Sequence, residues 1–328
     1  MIVGEALQAW IADKAAQRET RARADDFARA WNAGPVHRRF DEAMAAIAVP
    51  TAETVADAVR VLLADEDWLD AMIGALVERM RADPWFDPPF RGVNSDIHAG
   101  LLAFESDKVS IAAGVTSAVQ LAARKNRPRD ATSIGFSGQM GVFKFVRSGG
   151  ARLSFWEGPA LDGNFSAATA GTCRRVGERD IEDGEIIVLD GRRQSYVVER
   201  LRGSFLLVQA SIAVDQAPLS AEYDSATGAF VACAATGDTS SRIQMITTLL
   251  RKLDHQAAFP EIAAFLDHAD FFVRWHVMKE LLGLDPEAAL PHLKRMAASD
   301  PHPEPRRAAR LVLDRIQGGA PSPKRQAA

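Results

Sequence analysis

Cysteine is scarce in this chain: Cys173 and Cys233 are the only two among 328 residues. Two isolated cysteines exclude the disulfide framework of a small secreted domain. They also exclude the closely spaced cysteine pairs of zinc and redox motifs. Because so few cysteines suit a reducing compartment, the sequence predicts a cytoplasmic location.

A large excess of charge of either sign is also missing. Lys and Arg number 39 against 43 Asp and Glu, so the formal net charge at pH 7 is −4. That charge gives no general attraction to nucleic acid or to an anionic membrane. No window approaches the roughly 18 consecutive apolar residues of a transmembrane helix, and the N-terminus lacks the pattern of an export signal. We therefore expect neither a membrane nor a nucleic-acid partner.

Short strands separated by turns make up the middle of the chain. Runs of β-branched, aliphatic and aromatic residues occur at 186–189, 196–198 and 205–208. Turn pairs bracket them, namely Asp183-Gly184, Asp190-Gly191 and Arg202-Gly203. This spacing is typical of an all-β sandwich or barrel. With similar runs on both sides, the sequence predicts a β domain over residues 91–238.

Helices are predicted before this β domain. Apolar residues recur every four positions from residue 68 to residue 80, which indicates an amphipathic helix. A proline-rich segment, 83–90, ends the helical pattern because proline cannot continue a helix. We therefore predict an N-terminal helical domain over residues 1–83. The aromatic residues of the segment, Trp85, Phe86 and Phe90, are expected either to close the barrel floor or to line a ligand mouth.

The chain is helical again after residue 241, and this part contains an internal repeat. At an offset of 32 residues, Arg274 aligns with Arg306, Val277 with Ala309 and Leu281 with Leu313. A paired-helix unit that buries its apolar face only against a second copy is an α-solenoid repeat. The predicted helical repeats span 241–317, and residues 318–328 form a predicted disordered tail. The predicted fold class is therefore α+β.

Two stretches of the β domain resemble the cupin family. Residues 184–196, GEIIVLDGRRQSY, are similar to the second cupin motif, with Gln194 where the family has a metal-binding histidine. Residues 150–163, GARLSFWEGPALDG, align with the first cupin motif. The glutamate of that motif is present as Glu157, and both of its histidines are absent. The resemblance implies a double-stranded β-helix fold. It also implies a homodimer, because cupins commonly pair through the edges of their barrels. Since transition-metal sites need several convergent ligands, we expect no cofactor.

Residues 259–316 resemble HEAT repeats. Val273-Arg274 matches the valine-arginine pair that opens the second helix of a repeat, and Pro305-Arg306 keeps only the arginine. HEAT families act as protein-binding surfaces or scaffolds. The resemblance therefore implies a protein partner bound through the C-terminal helices. The alternative is that two short repeats pack on a neighbouring domain or mediate self-association.

Arginines crowd the β domain and suggest a ligand pocket. If Arg152 and Arg193 point into the barrel beside Glu157, Gln194 and Tyr196, they form a polar pocket for an anionic or sugar-like molecule. The alternative is an exterior lattice of ion pairs with acidic residues, among them Glu178, Glu182, Glu185 and Glu199. Strand alternation alone does not choose between these interpretations.

A metal site is the second candidate in the β domain. Asp96 and His98 are two residues apart, so on a strand they lie on one face, and Glu157 is the third ligand in this interpretation. No further histidine follows within the β domain.

The sequence favours a non-catalytic protein, although it does not decide whether the chain is an enzyme. Helical flanks for protein contacts and a cupin-like barrel, structural or holding a small ligand, make up the leading hypothesis. The alternatives are a metal-dependent cupin-type oxygenase or isomerase with atypical ligands, and a module that senses a small anion or a sugar.

Overall fold

The structure, a computed structural model, describes residues 4–95, 98–125 and 133–317. Its helices are α1 (Glu5–Ala12), α2 (Lys14–Asn32), α3 (Pro35–Ala45), α4 (Ala52–Ala64), α5 (Asp67–Ala82), α6 (Ala118–Lys125), α7 (Asp238–Lys252), α8 (Phe259–Ala263), α9 (Phe271–Leu284), α10 (Pro286–Ser299) and α11 (Pro303–Gln317). Its strands are β1 (Gly92–Asn94), β2 (His98–Glu105), β3 (Val109–Thr116), β4 (Ser133–Phe136), β5 (Met140–Arg147), β6 (Arg152–Glu157), β7 (Arg174–Asp180), β8 (Glu185–Asp190), β9 (Gln194–Arg200), β10 (Phe205–Ile212), β11 (Leu219–Asp224) and β12 (Phe230–Ala235). The predicted disordered tail, 318–328, lies outside the described residues.

Contacts divide the chain into two units. The described residues within Met1–Gly158, Thr172–Gln216 and Glu222–Ala229 form the first, called here the barrel unit. Those within Pro159–Gly171, Ala217–Ala221 and Phe230–Ala328 form the second, called the helical unit. The α+β class is confirmed, with helices first, antiparallel strands in the middle and helices last. The domain boundaries given above stay predictions.

Local sequence signals start the N-terminal helices. The side chain of Asp13 accepts hydrogen bonds from the backbone amides of Ala15 and Ala16 at the start of α2. Thr51 and Thr54 satisfy each other's backbone amides at the start of α4, which is a capping box. Pro35 occupies the first position of α3, where its missing amide costs no hydrogen bond.

The N-terminal helices and the largest sheet share one core. Val59 and Leu63 of α4 belong to the same buried cluster as Val142 of β5 and Ala210 of β10, and all four are fully buried. Lys144 of β5 is buried on the same face, and its Nζ lies 3.0 Å from Ala64 O and 2.8 Å from Glu66 Oε1. The lysine thus satisfies a carbonyl at the C-terminal end of α4.

Strand order identifies the barrel as a jelly roll. One sheet has the order β1-β2-β3-β10-β5-β8, with antiparallel pairing throughout. The other contains β7-β6-β9, and β4 lies beside β9, where the Ser195 hydroxyl donates to Gly135 O. The facing strand orders are therefore β3-β10-β5-β8 and β9-β6-β7, with β4 beside β9. This is the jelly-roll arrangement that cupins share, as the sequence resemblance implied.

Apolar side chains fill the space between the facing sheets. Phe145, Leu153, Ile187, Phe205 and Leu207 are buried together there. Tyr196 of β9 packs edge-on against Phe143 of β5, with ring centroids 5.2 Å apart. This part of the barrel interior is therefore packed.

The proline-rich segment after α5 packs on α2. Phe86 and Phe90 meet the ring of Phe27 edge-on, at centroid distances of 5.7 and 6.1 Å. Trp85 stacks on Trp10 of α1 at 5.6 Å. The ring partners of all three aromatic residues are thus on the N-terminal helices.

Asp83 attaches this segment to α2. Its buried carboxylate accepts hydrogen bonds from the Thr20 hydroxyl at 3.0 Å, from Arg23 Nη1 at 2.7 Å and from Trp85 N at 3.0 Å. Burial favours the neutral acid, but the bonds from Trp85 N, Arg23 and Thr20 outweigh it and hold the pKa of Asp83 below its ordinary value.

We expect Asp83→Asn to lower the stability of the barrel unit at pH 7. In acid, we expect the difference in stability between this variant and wild type to disappear. Because the folded-state pKa of Asp83 is depressed, its carboxylate stabilises the fold above the unfolded-state pKa of about 3.9. This stabilisation disappears as the pH falls through the folded-state pKa. Thermal unfolding of both proteins between pH 7 and pH 3 measures the difference. An equal difference across that range would mean that the charge of Asp83 contributes nothing.

The internal repeat is visible in the hydrogen bonds of two arginines in the helical unit. Arg274 Nη1 donates to the carbonyls of His268 and Ala269, six and five residues earlier. Arg306 Nη1 donates to the carbonyls of Asp300 and Pro301, again six and five residues earlier. The predicted alignment of Arg274 with Arg306 therefore reflects two equivalent turns.

Among the described residues, no helix is both long and apolar enough to cross a membrane.

Candidate functional site

The five residues predicted to form a barrel pocket are dispersed. Arg152, at the start of β6, pairs with Glu178 at 2.5 Å and with Asp180 at 3.1 Å on β7. All of β7 is exposed. Arg193 is exposed in the turn before β9, and its Nε lies 3.9 Å from Asp190 Oδ2.

Glu157 and Gln194 are cross-strand neighbours at the rim of the β6–β9 pair. Glu157 pairs with Arg174 of β7 at 2.5 Å, and Gln194 Oε1 accepts a hydrogen bond from Asp190 N. Tyr196 lies deeper, among the packed rings, where burial raises its pKa to about 12. The residues of the predicted pocket thus lie in three different environments, namely exposed ion pairs, the rim of the β6–β9 pair and the packed rings of the barrel interior.

The alternative interpretation, an exterior lattice of ion pairs, matches the observed contacts. Arg175 pairs with both Glu178 and Glu199, and Arg179 pairs with Glu185. The side chains of these pairs are between 22% and 49% exposed, so water screens them and each pair contributes little to stability.

Two of the three residues of the predicted metal site, His98 and Glu157, lie among the described residues. Asp96 lies outside the described residues. His98 is half-buried on β2 with its Nδ1 2.5 Å from Thr116 Oγ1, and burial lowers its pKa. Glu157 is on β6 and paired with Arg174. Within 4–95, 98–125 and 133–317, no three His, Cys, Asp or Glu side chains are grouped so that they could hold a metal ion.

The helical unit has a buried ion pair at its centre. Arg274 of α9 donates from Nε and Nη2 to the two carboxylate oxygens of Asp300, at 2.9 and 2.7 Å. Both side chains are at least 94% buried. Burial favours neutral Asp300, but Arg274 and the backbone amide of His302 outweigh it, and the pKa of Asp300 is lowered. The pair joins α9 to the end of α10.

A polar network joins α7 to α9. The Thr248 hydroxyl donates to Glu280 Oε1 at 2.9 Å, and Arg251 Nε donates to Glu280 Oε2. His276 Nε2 lies 3.0 Å from Gln244 O, and since a carbonyl can only accept, this nitrogen carries the proton. Burial lowers the pKa of His276, which favours the neutral ring. These bonds fix which face of α7 points away from α9.

That outward face of α7 is apolar and exposed. Met245, Ile246, Leu249 and Leu253 have exposed fractions of 66%, 56%, 54% and 67%. Their spacing of one, three and four residues places them on one side of the helix. Ile243 and Leu250, by contrast, pack against the buried core of the unit.

An open groove of about 760 Å³ runs along this face. Met245, Ile246 and Leu249 form its apolar part, and Lys252, the last residue of α7, and His276 of α9 also line it. In the described residues that line the groove, Lys252 is the single permanently charged side chain. The groove is thus suited to an apolar segment with a negative charge at one end.

The sequence contains the signal for this face, although it was not among the predicted sites. Residues 238–252, DTSSRIQMITTLLRK, place apolar side chains on two sides of one helix. A helix packed on one side needs only one such stripe. The second stripe therefore indicates an apolar face that the packing of α7 on α9 does not use.

Comparison with known families agrees with this description of the helical unit. Residues 229–314 match the HEAT repeat family. The predicted HEAT-like repeats are confirmed by that match. No curated protein matches the chain.

Among solved structures, two described as cupins and an ectoine synthase are similar to the chain. A cupin domain from Bordetella pertussis Tohama I is 11% identical, with a TM-score of 0.22, over 37% of this chain and 98% of that one. A sugar phosphate isomerase from a cupin superfamily, from Silicibacter pomeroyi, is 11% identical with a TM-score of 0.23, over 43% and 84%. Ectoine synthase from P. lautus is 9% identical with a TM-score of 0.18, over 38% and 69%. At these TM-scores the likeness adds no argument, and the fold assignment is based on strand order.

Proposed function

We propose that the chain is a protein-interaction protein whose helical unit binds an amphipathic helix of a partner along the outward face of α7. The observation that carries the proposal is the row of four exposed apolar residues, three on α7 and Leu253 directly after it. Terminal helices of a helical repeat array ordinarily have a polar outer face, which keeps the array soluble. An apolar face on α7, the first helix of the unit, departs from that rule and is explained by a binding partner.

The chemistry of the face specifies the partner. Apolar side chains at steps of one, three and four residues match the apolar stripe of an amphipathic helix laid into a groove. Fully burying one large aliphatic side chain contributes about 1.5–3 kcal/mol, so a few such contacts are enough for specific binding. Lys252 at the end of α7 favours a partner helix that carries a carboxylate near one end.

We expect a photo-reactive amino acid at position 245 to cross-link one partner protein in cells of the source organism. Mass spectrometry identifies the adduct and the peptide that carries it. The proposal requires that this peptide be an amphipathic helical segment with acidic residues. The same substitution at Leu311, which is 55% exposed on α11, serves as the control position.

We expect Leu249→Asp to weaken binding of the identified partner about 100-fold, because it places a charge in the desolvated centre of the contact. Leu311→Asp adds the same charge to an equally exposed site and leaves the affinity unchanged. Calorimetric titration measures both variants. Equal affinities for Leu249→Asp and wild type, or an adduct formed only with a second copy of this chain, would contradict the proposal.

A further inference from the structure

A second groove lies in the barrel unit, between helices α1 and α2 and the proline-rich segment. Its volume is about 580 Å³. One wall is apolar and contains Trp10, Trp85 and Pro88. The opposite wall is the exposed side of α2, with Lys14, Arg18 and Arg21. We call this the α1–α2 groove.

Hydrogen bonds hold the walls in place. The Thr20 hydroxyl on α2 donates to Asp83 Oδ2 at 3.0 Å and accepts from Trp10 Nε1 at 3.4 Å. Asp83 Oδ1 in turn accepts from the backbone amide of Trp85. A single chain of bonds therefore connects both tryptophans to α2. The groove is formed before any ligand binds, which reduces the entropy cost of binding.

The three cations of the groove form a row. Lys14, Arg18 and Arg21 are separated by four and three residues, so they lie on one side of α2. In the described part of the chain, no carboxylate lies within 4 Å of any of them, whereas Arg23 and Arg29 on the same helix are paired with Asp83 and Asp26.

Carboxylates also occur in the lining, namely Asp25 and Asp87. Three cations against two carboxylates leave the groove with an excess of positive charge. On α2 the row Lys14, Arg18 and Arg21 is followed four residues later by Asp25, so this wall has an excess of two positive charges, and Asp87 is on the proline-rich segment. A ligand that complements the groove therefore has negative groups on one side and apolar groups on the other.

We propose that the α1–α2 groove binds an extended acidic peptide segment of another protein, in which Asp or Glu alternates with apolar residues. Lys14 and Arg21 are about 10 Å apart along the helix axis. Side chains on one face of an extended peptide are about 7 Å apart, so two acidic residues in alternate positions reach this row. The intervening apolar side chain then points to the wall of Trp10, Trp85 and Pro88.

Selection from a displayed library of random dodecapeptides on the full-length protein tests the proposal. We expect enriched peptides to alternate acidic and apolar residues. Their dissociation constants, measured by fluorescence anisotropy, should rise on the order of tenfold or more in the triple variant Lys14→Gln, Arg18→Gln, Arg21→Gln, and also at high salt. The triple variant Arg38→Gln, Arg79→Gln, Arg81→Gln removes the same charge from exposed positions elsewhere and should bind like wild type.

Several outcomes would overturn the proposal. Enrichment of peptides without acidic residues, or equal affinities of wild type and the groove variant, would do so. Groove-dependent binding of dT12 or ATP without peptide binding would assign the groove to nucleic acid or nucleotide instead. Thermal unfolding of the groove variant confirms that it is folded, and Leu249→Asp should leave peptide affinity unchanged, which separates this test from that of the α7 face.

Discussion

Replacing Arg274 with alanine is expected to lower the free energy of unfolding of the helical unit by about 3–5 kcal/mol. The reason is that Asp300 would remain buried without its donor, and the carbonyls of His268 and Ala269 would lose the same donor. Hydrogen exchange of peptides from α9 and α10, followed by mass spectrometry, measures the change in this unit separately from the barrel unit.

Two control variants distinguish the buried charge from the rest of the side chain. Arg306→Ala removes the equivalent arginine of the second copy, whose partners are carbonyls only. It should lower the free energy of unfolding by less than Arg274→Ala does. The double variant Arg274→Met, Asp300→Leu removes both charges and should recover most of the loss, because no unpaired charge remains. A loss in the double variant as large as in Arg274→Ala would contradict this explanation.

Phe145→Ala is expected to destabilise the barrel unit by about 3–5 kcal/mol. Phe145 is fully buried between the facing sheets, 5.8 Å from the ring of Phe205 and 6.4 Å from that of Tyr196. Its removal leaves a cavity that the surrounding rings cannot fill without leaving their preferred rotamers. Hydrogen exchange of peptides from β5 and β10 reports the effect.

Val188→Ala provides the comparison for Phe145→Ala. Val188 is on the neighbouring strand β8 and is 39% exposed, so its truncation should change stability by at most about 0.5 kcal/mol. A cost for Phe145→Ala as small as that of Val188→Ala would mean that this part of the barrel interior is loosely filled, and it would favour a ligand there.

The order of secondary-structure elements could be predicted because its signals are local. The capping box of Thr51 and Thr54, the proline-rich segment after α5 and the Asp-Gly turns each act within a few residues. The repeat of Arg274 and Arg306 could also be predicted from the sequence, since each arginine binds carbonyls five and six residues before it. Such contacts depend only on the spacing of residues that are close in sequence.

The residues of the predicted pocket could not be placed in the same way. Arg152 and Glu157 are close in sequence, yet their partners are determined by the strands that lie beside β6. Arg152 meets Asp180 of β7, whereas Glu157 lies beside Gln194 of β9. Register shifts in the β6–β7 and β6–β9 pairs further change which residues are neighbours. Alternation along one strand contains no information about these pairings.

The sequence by itself determined that helices precede and follow a β domain resembling a cupin, and that the C-terminal part repeats. These properties depend on periodicity and capping, which act over a few residues. Only the tertiary structure decided that the arginines of the β domain form exterior ion pairs, that α7 leaves an apolar face exposed and that Lys14, Arg18 and Arg21 face two tryptophans across a groove. These properties depend on which distant segments become neighbours, because burial and charge pairing are decided by packing.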